Sequence, residues 1–384
     1  MSNEGDHRGQ QSSPHAPPRR ASANGEFDFI ERIRRRALNR GDVPDDDDTT
    51  PDSRLQTPDL LVGIGDDAAV FHSNAGHDTV VTTDLLVEDV DFFRTLAEPH
   101  ALGHKSLAVS LSDIAAMGAR PRFALVSLGV PQTTWESGFL DDFYAGLFAL
   151  AEMHNVSLIG GDLSRTPDRI VIDSIVVGEV ERDGAVLRSG AQVGDQIFVT
   201  GALGGAAAGL RLLERSLTLP DDLAHSFPAE FDQLAARQTR PVPRVEWGAL
   251  LGTSRLATAM IDTSDGLSSD LAHLCRESRV GAVLDWSQIP IDPLLHHDGA
   301  LADNSFTHSV VSDAHQLALH GGEDFELLFT IHPRDLLKLP RELAGVPVTR
   351  IGEIMEADEG IKLQRHQHLE DLRPAGFEHF NSHR

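Results

Sequence analysis

The chain is poor in cysteine, lysine and tyrosine. Of its 384 residues, one is a cysteine (Cys275), one is a tyrosine (Tyr144), and three of the 33 basic residues are lysine. A single thiol excludes a disulfide framework and a zinc site built from several thiolates. No apolar run reaches the length that a membrane-spanning helix needs. We therefore expect a protein of the reducing cytoplasm.

Positive charge is also scarce. The chain carries 59 acidic residues and a formal net charge of −26, which argues against nucleic acid or an anionic membrane as a partner. An acid excess with little lysine is typical of proteins from salty cytoplasms, so part of the acid serves solubility. The run Asp45 to Asp48, inside a polar loop at 39–58, is predicted to be such a solvated segment.

Apolar patterning predicts two globular units after a polar tail. Residues 1–25 lack an apolar stretch and are predicted to be a disordered tail, not a signal peptide. Strand and helix patterns alternate through both units, which predicts an α/β (α+β) fold with an N-terminal domain at 26–184 and a C-terminal domain at 185–384.

The periodicity also places the individual elements. Predicted helices cover 26–38, 100–117, 139–154 and 267–276, with another after Gly205. Predicted strands cover 60–64, 79–84, 122–130, 156–159, 170–180, 196–200, 256–261, 282–285, 325–331 and 346–351.

Aspartates recur beside glycine, serine or threonine near the ends of these apolar segments. They stand in Gly63–Asp67, Thr82–Asp84, Ser112–Asp113, Gly160–Asp162 and Asp262–Gly266. Each segment alone also fits an ordinary turn or helix cap. Carboxylates with hydroxyls suit magnesium, and a magnesium site of this kind usually serves a phosphate substrate. The last segment is the most specific, because two acids lie three residues apart between a strand and a helix N-terminus.

Three other motifs do not keep the spacing or ligand set of the sites they suggest. Gly103–Ser106 looks like the end of a P-loop but lacks the upstream glycine, and Gly201–Gly209 lacks the dinucleotide spacing. The pair His296–His297 and the segment His366–His368 are predicted to be surface residues, because no acid or cysteine completes a zinc ligand set.

Several single residues allow two interpretations. Arg188, beside a glycine turn, either grips a triphosphate or lies free on the surface. Tyr144 either stacks on a base or packs in the core, and its helical spacing favours the core. Glu323 and Asp324, after a double glycine, either orient a polar substrate or end a turn.

Taken in order, the motifs resemble those of the thiamine-monophosphate kinase family, and the resemblance runs from about Gly25 to Phe380. The matching segments are Gly63–Ala68, Thr83–Asp84, Leu111–Ala119, Leu158–Asp162, Arg188–Ala191, Ile261–Gly266 and Gly321–Leu327. The resemblance implies the fold of the aminoimidazole-ribonucleotide synthetase superfamily: two α/β domains, with ATP between them. It also implies a homodimer whose N-terminal sheets form a shared barrel, and an N-terminal domain that binds ATP and metal.

The resemblance further implies roles for individual residues. Metal-binding positions correspond to Asp67, Thr83, Asp84, Asp113, Asp162, Asp262 and Asp265, with Thr82 beside them. Nucleotide-binding positions correspond to Tyr144, Gly161, Asp162, Arg188 and Ser264. Substrate-binding positions correspond to Glu323 and Phe377, and Asp91 stands where family members often have a histidine.

The implied reaction is the ATP-dependent phosphorylation of thiamine monophosphate to thiamine diphosphate, by direct in-line transfer assisted by several Mg²⁺ ions. A phosphate monoester has its second pKa near ~6, so the acceptor needs no general base and we expect no catalytic acid or base. Two alternatives stay open. One is another ATP-using enzyme of the superfamily, such as the purine-pathway cyclo-ligase; the other is a non-catalytic, salt-adapted protein that binds magnesium and nucleotide.

Overall fold

A computed structural model describes residues 26–38, 60–62, 70–217, 229–296 and 313–377. The predicted tail at 1–25, the loop at 39–58 and Asp67 lie outside the described residues. None of the described helices combines the length and the apolar character needed to cross a membrane.

The N-terminal half is built on an open sheet of four strands, which follows a short antiparallel pair, β1 (Leu60–Val62) and β2 (Val70–Phe71). The strands lie in the order β3 (His77–Val87), β6 (Val171–Glu181), β4 (Arg120–Val130) and β5 (Ser157–Arg165). β4 and β5 pair in parallel, and the other neighbours are antiparallel.

Two long helices cover one face of this sheet. They are α2 (Pro99–Ala116) and α4 (Phe139–Met153), with α1 (Glu26–Leu38) beside β5 and the short α3 (Gln132–Trp135) before α4. α2 begins with a proline, which is favoured at the first helical position. α2 and α4 cross closely at two glycines: a Cβ added to Gly103 would lie 1.8 Å from the Phe143 carbonyl oxygen. A Cβ on Gly146 would lie 1.8 Å from the His100 carbonyl oxygen.

The opposite face of the same sheet is not covered by these helices. Val81 is 62% exposed in the edge strand β3, and its partner Val177 and the next residue on that face of β6, Ile175, are only partly buried. The described sheets are open, so the barrel expected from two chains is not seen in one chain.

The C-terminal half contains an eight-stranded sheet, mostly antiparallel. Its order is β14 (His368–Asp371), β13 (Ile361–Arg365), β9 (Gly281–Asp285), β12 (Val346–Met355), β7 (Gln196–Thr200), β10 (Leu327–Ile331) and β8 (Ala257–Asp262), with β11 (Glu342–Leu343) paired to β12. The helices are α5 (Gly205–Ser216), α6 (Ala229–Thr239), α7 (Val245–Ser254), α8 (Leu267–Ser278) and α9 (Ala314–His320).

Helix α2 also belongs to the junction between the two halves. Its last turn, with Ala115 and Ala116, packs into a buried cluster with Trp247 and Leu251 of α7. Glycine allows this approach, because a Cβ on Gly248 would lie 2.3 Å from the Ala115 carbonyl oxygen. One rigid helix is therefore shared by both halves.

Most predicted elements are present, several with different bounds, and two of these differences concern predicted site residues. The predicted strand ending at Asp84 continues to Val87, and Gly160–Asp162 lies inside β5 instead of in a turn after it. The parallel ladder with Leu125 to Ser127 of β4 carries the strand through the glycines. The predicted boundary between 184 and 185 stays a prediction.

Candidate active site

Three predicted metal-binding acids come together where β3, α2 and β8 meet. We call Asp84, Asp113 and Asp262 the acid cluster. Helix α2 supplies a hydroxyl to two of them: Ser110 Oγ donates to Asp84 Oδ2 over 2.6 Å, and Ser112 Oγ donates to Asp262 Oδ2 over 2.6 Å. Acids from two different sheets are thereby tied to one helix.

The acids of the cluster are buried beside like charges. Burial, together with the nearby Asp113 carboxylate, raises the pKa of Asp84 to about 6 and that of Asp262 to about 7. Burial also raises the pKa of Asp113, against the lowering effects of a hydrogen bond from the Thr82 hydroxyl and of the Arg188 charge. The arginine predicted to bind nucleotide therefore faces this cluster.

The cluster has the chemistry of a magnesium site. Its donors are carboxylate oxygens, the hard ligands that Mg²⁺ prefers, and their crowding disfavours their charged forms until a cation arrives. In the part of the chain that the structure describes, no three carboxylate, imidazole or thiol groups stand ready to hold one ion. The donor type and charge fit the ion, while the number of ions and their individual ligands stay predictions.

A cavity of about 320 Å³ opens between the two halves. The predicted substrate residues Asp91, Glu323 and Phe377 all line it. Asp84 and Asp265 also line it, so the cavity reaches from the substrate residues to the acid cluster. A molecule bound in this cavity would therefore lie next to the acid cluster.

A buried acid that the sequence interpretation missed, Asp270, anchors the backbone of the predicted loop after β8. Asp270 Oδ2 accepts hydrogen bonds from the backbone N–H groups of Asp265, over 3.2 Å, and Gly266, over 3.0 Å. Burial, with Asp262 and Asp265 nearby, raises the pKa of Asp270 to about 9. An acid in the first turn of a predicted helix was the available signal.

Glu323 is fixed by two partners that sequence reasoning also missed. Lys105 Nζ lies 2.7 Å from Glu323 Oε1, and the Gln238 side-chain amide donates to Oε2. Asp91 has a local role as well, because its Oδ2 accepts from the Val87 backbone N–H over 2.8 Å.

Three of the predicted nucleotide residues lie elsewhere, around a second cavity of about 100 Å³ beneath α1. Tyr144, Gly161 and Asp162 line it together with Phe29. Tyr144 is only 7% exposed and its ring centroid lies 5.7 Å from that of Phe29. In this structure it therefore packs in the core, which is one of its two sequence interpretations. Burial raises the pKa of its hydroxyl. Ser264, by contrast, lines the first cavity.

The remaining predicted metal residues belong to the uncovered face of the N-terminal sheet. Thr83 Oγ1 donates to Asp173 Oδ1 over 2.6 Å on that face. The strand register places Asp173, Ser127 and Asp162 in one row across the sheet. The structure thus brings Asp84, Asp113 and Asp262 together and leaves Thr83 and Asp162 on the other side of the sheet.

Comparisons with known proteins agree with the two-part α/β fold. Residues 65–180 match the N-terminal domain of the AIR synthase related proteins, and residues 192–363 match their C-terminal domain. The thiamine-monophosphate kinase of Bacillus subtilis is 36% identical over 361 residues, which covers 92% of this chain and 99% of the relative.

Solved structures give the same picture. A crystal structure of thiamine-monophosphate kinase from Stenotrophomonas maltophilia superposes with a TM-score of 0.72 at 36% identity, covering 88% of this chain and 96% of that one. A structure of AaThiL complexed with AMPPCP and TMP superposes with a TM-score of 0.68 at 28% identity, covering 93% and 97%.

Proposed function

The chain belongs to the thiamine-monophosphate kinase family, and from this membership we propose that it transfers the γ-phosphoryl group of ATP to thiamine monophosphate. The products are thiamine diphosphate and ADP. The observation that carries the proposal is the cavity between the two halves, which joins the predicted substrate residues to the acid cluster.

The lining of this cavity suits the acceptor. Thiamine monophosphate combines a cationic thiazolium ring with an aminopyrimidine and a phosphate. Aromatic rings on the cavity wall, Phe93 and Phe377 among them, can pack against flat cationic rings, and Asp91 and Glu323 bring negative charge. An acidic, aromatic wall favours a cationic heterocycle over an anionic one.

The acid cluster supports a site for several magnesium ions. Asp84, Asp113 and Asp262 would hold the metal together with Asp265 of the adjacent loop. Asp67 is a further candidate, and Thr83 and Asp162, on the other side of the sheet, would serve a separate ion. Bound Mg²⁺ supplies charge neutralisation between two phosphate groups that would otherwise repel each other. The hydroxyls of Ser110 and Ser112 orient two of these carboxylates through the hydrogen bonds that they donate.

Direct in-line transfer needs positioning more than acid–base chemistry. The acceptor phosphate is largely dianionic at neutral pH, because its second pKa is near ~6, so it attacks without a general base. Holding donor and acceptor in line can supply roughly 7–11 kcal/mol of the barrier in favourable cases. Arg188 would bind a phosphate oxygen of ATP, and the action of its charge on Asp113 and Asp262 supports this role.

We also propose a homodimer formed through the uncovered face of the N-terminal sheet. That face presents Val81 and the partly buried Val177, and its edge strands β3 and β5 have no further partner among the described strands. Pairing two such sheets into a barrel would cover the apolar face and the open edges together.

A coupled assay of ADP formation tests the proposed function. Purified protein with ATP and magnesium should form ADP when thiamine monophosphate is added, and not when formylglycinamidine ribonucleotide is added. Activity only with the second substrate would identify a cyclo-ligase. Magnesium and ATP binding without turnover of either substrate would identify a binding protein and contradict the proposal.

A further inference from the structure

Lys105 is a buried cation whose position the reaction chemistry does not yet explain. Its residue is 3% exposed on α2, and it lines the cavity between the two halves. The acids lining the same cavity are Asp84, Asp91, Glu214, Asp265 and Glu323, and Lys105 is the only basic residue among its described lining. A buried ammonium group is costly unless it is paired, and its partner here is Glu323.

The carboxylate of Glu323 is fixed from both sides of the domain junction. Lys105 on α2 lies 2.7 Å from Oε1, and Gln238 on α6 donates to Oε2. The backbone at Glu323 is left-handed, with φ of 67°, and its N–H donates to the Ser264 carbonyl over 2.8 Å. Such a conformation persists where surrounding contacts hold it.

This arrangement leaves acceptor capacity on Glu323 for a ligand. An ionised carboxylate offers about four lone-pair positions, and Lys105 and Gln238 occupy one on each oxygen. The remaining positions belong to a group that lines the cavity. A carboxylate accepts hydrogen bonds and does not donate them, and thiamine monophosphate carries one amino group, on its pyrimidine ring.

We propose that Lys105 is a positioning residue that aims the Glu323 carboxylate at the amino group of the substrate's pyrimidine ring. The inference rests on the proposed function and adds to it the group that sets the orientation of the acceptor. Lys105 acts through Glu323, because the Glu323 carboxylate contacts the substrate and the Lys105 ammonium group does not.

The test compares two substrates in three variants. The substrates are thiamine monophosphate and an analogue with hydrogen in place of the pyrimidine amino group. The variants are Lys105→Met, Glu323→Gln and the double variant. Lys105→Met should lower kcat/KM for thiamine monophosphate by about 10- to 100-fold, the range for a hydrogen bond to a charged group. It should change kcat/KM for the analogue far less and leave the KM for ATP nearly unchanged.

Further measurements separate positioning from a purely structural role. Lys338→Met removes an exposed lysine paired with Asp335 and is the matched control, expected to behave as wild type on both substrates. Equal losses on the substrate and the analogue in Lys105→Met would overturn the inference, because a loosened junction affects both alike.

A second variant covers the possibility that Lys105→Met does not fold. Gln238→Leu leaves the ion pair intact and should show the same preference for losing activity on the amino-bearing substrate; an equal loss on both would overturn the inference. Absence of wild-type turnover with thiamine monophosphate would instead overturn the proposed function, and the inference with it.

Discussion

At the scale of the residue, the buried carboxyl of Asp262 lowers the stability of the fold and favours the binding of a cation. Its carboxyl is 2% exposed and its pKa is raised to about 7 from 3.8 by burial and by Asp113 and Asp84. A shift of that size corresponds to a penalty on the order of 4 kcal/mol for its ionised form at neutral pH. A bound cation removes such a penalty, which is why crowded acids of this kind mark a metal site.

Substituting the acids should separate activity from stability. We expect Asp262→Asn and Asp265→Asn to abolish ADP formation at ordinary magnesium concentrations. Asp262→Asn should unfold at an unchanged or higher temperature without magnesium at pH 7.5, because the amide removes one of three like charges. Assays of turnover and thermal unfolding check both statements.

The exposed Asp183→Asn is the control for these variants and should keep full activity. Near-normal turnover in both Asp262→Asn and Asp265→Asn would contradict the metal assignment. A large loss of stability in Asp262→Asn would show that its charge is compensated within the fold.

At this scale the sequence predicted some residues and missed others for a physical reason. Asp84 was singled out because a strand interior is a poor place for an acid without a function, and Asp262 because a second acid follows three residues later in the same loop. Lys105 was dismissed with the P-loop interpretation, and Gln238 was not considered, since their common partner Glu323 lies far away in the chain. Local sequence patterns do not predict a contact between two residues that only the folded chain brings together.

At the scale of the element, α2 organises the molecule. Along one helix it presents Lys105 to the cavity, Ser110 and Ser112 to the acids of two sheets, and Asp113 to the cluster. Its distance from α4 is set by Gly103 and Gly146. The position of every one of these side chains depends on that close crossing.

A methyl group at the crossing should therefore destabilise the fold. Gly103→Ala gains about 1 kcal/mol of helix propensity, but its Cβ would lie 1.8 Å from a backbone oxygen of α4. Backbone cannot move aside as a side chain can, so we expect a net loss of roughly 2 kcal/mol or more. Chemical denaturation measures it.

Two comparisons make this prediction specific. Glu152→Ala, at an exposed position of α4, should change the free energy of unfolding little. Gly146→Ala should lower the free energy of unfolding less in the Gly103→Ala background than in the wild type, since the first substitution has already separated the helices. Additive costs, or a stabilised Gly103→Ala variant, would contradict the tight crossing.

The N-terminus of α5 gives an element-scale pH dependence. Asp324 accepts from the backbone N–H groups of Gly204 over 2.7 Å and Ala206 over 3.0 Å, yet burial raises its pKa to about 7. The folded state therefore binds a proton that the unfolded chain releases near pH 4. The free energy of unfolding should fall as pH rises from about 4 to about 7, by about 2–4 kcal/mol for this group.

Denaturation curves of wild type and Asp324→Asn at several pH values isolate this contribution. The fall in stability between pH 5 and pH 7 should be shallower in the variant, because the amide does not ionise. A parallel fall in both proteins would exclude Asp324 as the group responsible.

Elements with strong periodicity were predictable, and those set by pairing were not. Helix 26–38 and strand 196–200 have the predicted bounds. The passage of β5 through Gly160 and Gly161 depends on its ladder with β4, and β14 is exposed along its whole length. A strand that forms because neighbouring strands pair with it shows only a weak strand pattern in its own sequence.

At the scale of the whole molecule, the uncovered sheet face predicts self-association. Val81→Lys places a charge on that face, in its edge strand β3, and should shift a dimer to monomer. Met153→Lys is the matched control, because Met153 is 64% exposed at the end of α4, on the helical side. Sedimentation equilibrium compares the three proteins.

A wild-type protein that is monomeric at all concentrations would refute the homodimer. So would equal dissociation by both lysine substitutions. The sequence itself predicted the two-domain class through alternating patterns. It did not locate the uncovered face, because the alternation along β3 and β6 does not tell which face of the sheet α2 and α4 cover.

The fate of the γ-phosphoryl group tests the central claim most directly. ATP labelled with radioactive phosphorus at that position is mixed with enzyme in excess, magnesium and thiamine monophosphate, and the products are separated after one turnover. The account predicts the label in the terminal phosphate of thiamine diphosphate. Label recovered only as inorganic phosphate, or left in ATP, would contradict it.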